Sequence, residues 1–175
     1  MLPGAQVFGQ DLENHFWVRR AMHSFIVDNP LNTVDFAKEV QPHLFCSVPR
    51  IYEKIYSNFI AAIESKAVLR FGLRIPLLSG IFKKKLKEAA GFGDLKFAIS
   101  GAAPINPDIL ALFQKLDIPL FEGYGMTENT AGATLNYLGH NKIGSVGKAL
   151  PDTEIKIAND GEVMDSRRSC NERVL

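Results

Sequence analysis

The sequence predicts an α/β fold: a partial doubly wound, mostly parallel sheet with helices on both faces. Three observations carry that reading. Short β-rich runs alternate with amphipathic helical patterns, the signature of βα units. The run Phe97-Ala98-Ile99 is apolar at every position, as befits a strand covered on two faces. Two glycine-bearing stretches, 100–104 and 122–128, each follow a strand candidate, where open α/β sheets hold their ligands.

In chain order, strands are expected at 24–28, 43–48, 95–100, 120–122, 132–135 and 154–158. Asn32 and Thr33 suit the cap of a helix carrying Val34, Phe36, Ala37 and Val40, and Pro42 stops it. Pro49 opens a second helix, where a missing N–H costs nothing. Ile51, Ile55, Phe59 and Ile63 form its apolar stripe, with Tyr52, Tyr56 and Ile60 beside it. A later helix has Asn106 as cap, Pro107 first and Asp108 in the positive first turn. It is expected to bury Ile109, Leu112, Phe113 and Leu116. From Asp165 onward neither periodicity persists, and 164–175 reads as an unpacked tail.

The chain has 175 residues, 46% hydrophobic and 22% charged, with 20 Lys+Arg against 19 Asp+Glu. That excludes disordered, collagen-like and disulfide-scaffold classes, and a net charge of +1 gives no reason to expect nucleic acid. Cys46 and Cys170 form no CxxC pair, so a reducing compartment, the cytoplasm, is the expectation. No apolar run approaches the ~20 residues of a membrane span. One segment differs from the rest. Lys66, Arg70, Arg74, Lys83, Lys84, Lys85 and Lys87 occur with no acid among them, interleaved with Leu69, Phe71, Leu73, Ile75, Leu77, Leu78, Ile81 and Phe82. Two readings fit: a solvated helix whose lysine stems cover apolar neighbours, or a peripheral contact with an anionic membrane.

Standard phosphate and metal motifs fail. Residues 144–148 look like part of a Walker loop, but Lys142 stands where Gly is needed and Ala149 where Ser or Thr is needed. No GxGxxG, HExxH or GxSxG pattern is present. The dense stretch is Gly123-Tyr124-Gly125-Met126-Thr127-Glu128. Tyr124 offers a flat ring, Thr127 a hydroxyl and Glu128 a hard oxygen ligand for Mg²⁺. The same residues also suit a glycine-rich turn with a capping Thr and a first-turn Glu.

That stretch resembles the YGxTE motif of the adenylate-forming (AMP-binding) enzymes, particularly the long-chain fatty acid–CoA ligases (acyl-CoA synthetases). The resemblance extends through further motifs in order. LPGAQVFG at 2–9 is similar to that group's LPLAHVFG, and SVPRIYEKI at 47–55 to its VPRxxEKI. FAISGAAPI at 97–105 is similar to its strand and SGGAP-type loop, IGSVGKALP at 143–151 to its GSVGKPLP turn, and DGEV at 160–163 to its DGE hairpin. The resemblance implies that residues 1–163 are a central slice of the large N-terminal domain of such an enzyme. It implies ATP, Mg²⁺ and CoA as cofactors and a fatty acid as substrate, activated to an acyl-adenylate and passed to CoA. Tyr124 would stack near adenine. Gly101, Ala102, Ala103 and Pro104 would line the adenine and acyl pocket, alongside Gly123, Gly125 and Met126. Thr127 would contact the α-phosphate and Glu128 would hold the metal.

Gln6 stands where this group usually has His, a change at a residue of the acyl pocket. The phosphate loop of the TSGTTGxPKG type, the ribose-binding Asp and the C-terminal lid with its Lys have no counterpart in the 175 residues. The chain by itself is therefore expected to be inactive. The alternatives are a non-catalytic nucleotide- or membrane-surface-binding remnant and the product of a disrupted gene.

Overall fold

A computed structural model describes His23, Phe25, Val27, Asn29 and residues 32–72, 75–127 and 132–167. The strand expected at 24–28 lies largely outside the described residues, and so do Gln6, Glu128 and residues 168–175. The described chain divides into two compact units, 25–121 and 122–167, with the boundary inside one strand.

The first unit runs α1 (Thr33–Val40), β1 (Leu44–Ser47), α2 (Pro49–Ser65), α3 (Ala67–Gly72), α4 (Pro76–Ala89), β2 (Phe97–Ser100) and α5 (Pro107–Lys115), and reaches the start of β3 (Leu120–Tyr124). Strands β1 and β2 pair in parallel, Leu44 opposite Phe97 through Ser47 opposite Ser100. Helix signals hold at Pro49, Asn106 and Pro107, whereas Asn32 stands at the cap position of α1 but makes no side-chain capping bond. Pro49 and Pro107 each sit in the first turn of their helix. The Asn106 side chain accepts a 2.9 Å bond from the Asp108 N–H, satisfying one of the donors a helix start leaves open. Gln41 closes α1 in the left-handed region at φ 49°.

The core of this unit is aromatic. Phe113 is fully buried and its ring lies within 5.6–6.5 Å of those of Phe59, Tyr52 and Phe92. Phe45 joins Tyr52 and Phe92 at 5.8 and 5.2 Å. Helix α2 buries Ile51, Ile55 and Phe59 as its stripe predicts. Helix α5 buries Leu110 beside Ile109 and Phe113, while Leu112 is only half-buried. Both leucines flank the buried stripe, and only packing decides which side is covered. Tyr52 ties helix to sheet. Its buried hydroxyl lies 2.9 Å from the carbonyl oxygens of Phe45 on β1 and Ile99 on β2.

The second unit takes the end of β3, then β4 (Thr134–Leu135), β5 (Lys148–Ala149), β6 (Thr153–Ile157) and β7 (Val163–Arg167). Its pairings are antiparallel: Tyr124 opposite Thr134, Leu135 opposite Lys148, and β6 with β7 from Thr153–Arg167 to Ile157–Val163. The fold is thus α/β with a mixed sheet, parallel pairing lying in the first unit. One sequence expectation changes here, and one exclusion gains a second ground. Residues 164–167 are not the start of an unpacked tail but the second strand of a hairpin. Its turn is locked by the Ala158 N–H donating to the Glu162 carbonyl at 2.8 Å and the Glu162 N–H to the Asp160 carboxylate at 3.1 Å. The turn at 144–148 leads into a strand rather than a helix, which removes the Walker reading on geometry as well as sequence. No described helix is long and apolar enough to cross a membrane.

Candidate functional site

In the first unit, Gly101, Ala102, Ala103 and Pro104 form the loop that leaves the carboxyl end of β2. Gly101 is half-buried and the next three residues are exposed. The Gly101 N–H donates to the Ser47 carbonyl at 3.4 Å, so the loop starts anchored to β1. Ala102 adopts φ +68°, a left-handed conformation that an alanine side chain disfavours. It occupies the position where the SGGAP-type motif carries its second glycine, a departure that sequence reading passed over. Directly beneath, Ser47 and Ser100 face each other in register, fully buried. Neither hydroxyl has a hydrogen-bond partner among the described residues.

In the second unit, Gly123 and Tyr124 end β3 and Gly125, Met126 and Thr127 continue from it. Gly123, Tyr124, Gly125 and Met126 are half-buried, and Thr127 is exposed. The strand end is fixed by its neighbours. Tyr124 accepts at its carbonyl from the Ala133 N–H at 2.9 Å, and Glu122 from the Asn136 N–H at 3.0 Å.

Asn136, which the sequence reading missed, organises this unit. It is 1% exposed. Its amide donates to the Glu122 carbonyl at 3.2 Å and to the Ser145 carbonyl, and its side-chain oxygen accepts from the Lys142 N–H at 3.0 Å. One side chain therefore joins β3 to the turn at 142–147. Thr134 adds a bond to the Val146 carbonyl at 2.7 Å. Gly147, at φ +89°, lies so close to the backbone of Leu135 and Asn136 that a Cβ has no room. The turn that the sequence marks as a motif is thus a brace for the strand that carries Tyr124.

Two titratable groups of the first unit, Cys46 and Tyr52, are structural. Burial pushes the Cys46 thiol from 9.0 up to about 12 and raises the Tyr52 phenol well above its usual value. Neither is an acid, base or nucleophile at neutral pH. Among the described residues no cluster of three His, Cys, Asp or Glu side chains could hold a metal.

The model of the AMP-binding enzyme family matches residues 1–167. The chain belongs to the AMP-binding enzyme family. The chain is 34% identical over 154 residues to a protein of Mycobacterium tuberculosis named as a putative fatty-acid–CoA ligase, fadD11, covering 72% of the chain and 27% of that protein. It is 31% identical over 147 residues to the peroxisomal long chain acyl-CoA synthetase 7 of Arabidopsis thaliana, covering 74% and 21%. In fold it is similar to the O-succinylbenzoate coenzyme A synthetase MenE of Bacillus subtilis, solved in complex with AMP. That likeness has a TM-score of 0.54 at 21% identity over 93% of the chain and 28% of that protein. The chain spans about a quarter of the length of the curated relatives it matches.

Proposed function

We propose that this chain is the central part of a cytoplasmic long-chain fatty acid–CoA ligase, whose reaction joins a fatty acid to AMP from ATP and then to CoA. One observation carries the reading: within a family match over residues 1–167, Gly123 and Tyr124 end β3 and residues 125–127 leave its carboxyl end, the position where such sheets take nucleotides. In this reading Tyr124 stacks against adenine, and the glycines beside it let backbone approach the nucleotide closely. Gly101, Ala102, Ala103 and Pro104 line the nucleotide and acyl pocket, and Gln6 contributes to the acyl end. The exposed Thr127 hydroxyl donates to an α-phosphate oxygen.

Glu128 is the proposed metal ligand. A lone carboxylate suits Mg²⁺, which keeps its waters and takes one or two carboxylates together with substrate phosphates rather than an all-protein cage. When bound, the metal screens phosphate charge so that an anionic carboxylate can approach the α-phosphorus. The chain's own residues orient the nucleotide and hold donors where charge develops.

Replacing the matching segment of a full-length homologue with residues 2–163 should preserve fatty-acid-dependent ATP–pyrophosphate exchange. Loss of exchange by a folded chimera overturns the reading. The 175-residue chain alone should show no exchange, because the donors of a phosphate loop are not among its residues. Measurable exchange by the purified chain overturns that part.

A further inference from the structure

Ser47 and Ser100 end β1 and β2, directly opposite one another. Along both strands half-buried and buried positions alternate, so the two serines share a face with Phe45 and Ala98. On that face the Phe45 ring meets Tyr52 of α2. Both serines are 0% exposed, and neither hydroxyl has a partner among the described residues. The large majority of buried hydroxyls are bonded, so two left open side by side are costly. A second cost stands two residues further on. The last rung between the strands, from the Gly101 N–H to the Ser47 carbonyl, is long at 3.4 Å. Ala102 then follows at φ +68°, where glycine alone is at ease. Open hydroxyls and strained backbone thus meet at the root of one loop.

We propose that Ser47 and Ser100 latch a second position of the 101–104 loop, in which the Gly101–Ala102 peptide is rotated and hydrogen-bonds to the serine pair. One rotation answers both costs. Turning the peptide that precedes a left-handed residue takes that residue to negative φ, as two common β-turn types interconvert. The rotation also exchanges the sides of the peptide, so a polar group that faced water turns toward the strands. A hydroxyl both donates and accepts, so it serves the carbonyl or the N–H equally. Residues 102–104 are exposed, and no packed side chain has to move. The latch stands on the geometry of the loop root alone. Its bearing on nucleotide rests on the ligase reading: the loop takes nucleotide in the position seen, and the latched position withholds it. The serines are then positioning residues that act through the loop, because the competent fraction sets the apparent affinity.

The test is nitrogen relaxation dispersion on the full chain at the Gly101, Ala102 and Ala103 amides, where microsecond-to-millisecond exchange is expected. Ala102→Gly should suppress the exchange by favouring the position seen, and Ser47→Ala with Ser100→Ala by removing the latch. Thr153→Val, which deletes an open buried hydroxyl elsewhere, should leave it unchanged. Absence of exchange in the parent chain, or exchange that survives the double serine variant, overturns the proposal. So does a clear fall in the melting temperature of that variant, which shows the hydroxyls already bonded in the position seen. In a full-length homologue carrying residues 2–163, the double serine variant should lower the KM for ATP about threefold and leave kcat unchanged. An unchanged KM beside suppressed exchange overturns the nucleotide part alone. A folded chimera without activity speaks against the ligase reading and leaves the dispersion result standing.

Discussion

Ala102 holds a backbone conformation that its own side chain opposes, at φ +68° in the loop after β2. Ala102→Gly should relieve that strain and, net of the extra freedom glycine gains in the unfolded chain, stabilise by about 0.5–1 kcal/mol. A urea titration that shows destabilisation would mean the loop makes compensating contacts through the methyl group. Cys46 and Tyr52 make a second residue-level prediction. Both have folded pKa values raised by burial, so above pH 9.0 the unfolded chain loses the Cys46 proton before the folded one does. Stability is then fully present below pH 9.0 and falls as pH rises toward about 12, by roughly 1.4 kcal/mol per pH unit for one group. Cys46→Ala should flatten the fall just above pH 9.0, measured by denaturant midpoints across that window. Glu128 makes the third. As a metal ligand it needs charge, whereas as a helix-start residue it needs only an acceptor oxygen. In a full-length protein Glu128→Gln should cut adenylation at least ~100-fold with little change in melting temperature. Near-normal exchange by the Gln variant, with lost stability in Glu128→Ala, would make the residue structural.

At the scale of elements, the turn at 142–147 and strand β3 are coupled through one buried amide. Asn136→Ala leaves the part-buried Ser145 carbonyl and Lys142 N–H without that partner, at a cost of about 1 kcal/mol for each hydrogen bond lost. Exchange of the Gly123 and Tyr124 amides with deuterium should accelerate more than that of α2 amides. Gly147→Ala should produce the same pattern for a different reason, because a Cβ there meets the backbone of Leu135 and Asn136. If either variant leaves the exchange of β3 unchanged, the brace is not what holds the strand. The coupling could not be read from the sequence. Asn136 finds its partners at Glu122, Lys142 and Ser145, none within the three or four positions over which local patterns speak. By contrast, the link from Tyr124 to Thr134 is shorter than the about a dozen residues a parallel crossover needs. The antiparallel pairing of β3 with β4 was therefore legible in principle, although alternation of β and α patterns pointed to a mostly parallel sheet.

Across the molecule, the two units differ in what fills them. Residues 25–121 enclose Tyr52, Ile55, Phe92, Phe113 and Leu116 with almost no exposure, whereas among the described residues of 122–167 the fully buried ones are Ala133 and Asn136. The hairpin β6–β7 leaves Ile157, Val163 and Met164 exposed. Local stability follows buried apolar contact, so the slowest amide exchange should lie in α2, β2 and α5 and faster exchange in β6 and β7. Phe113→Ala should cost the first unit about 3–5 kcal/mol and abolish the protection of α2. Equal protection of both units before mutation would show that they unfold as one.

The sequence by itself determined the α/β class, the helix starts at Pro49 and Asn106, the stripe of α2 and the family to which its ordered motifs belong. These depend on spacing and capping within a turn or two, where chemistry is local. Only the tertiary structure decided that Leu110 rather than Leu112 is buried and that 163–167 is a strand. The same holds for the left-handed turn at Ala102 and for Asn136 as the brace of β3. Each of those outcomes depends on which distant backbone or side chain arrives alongside, and a run such as Met164-Asp165-Ser166 becomes a strand only because β6 offers its hydrogen bonds.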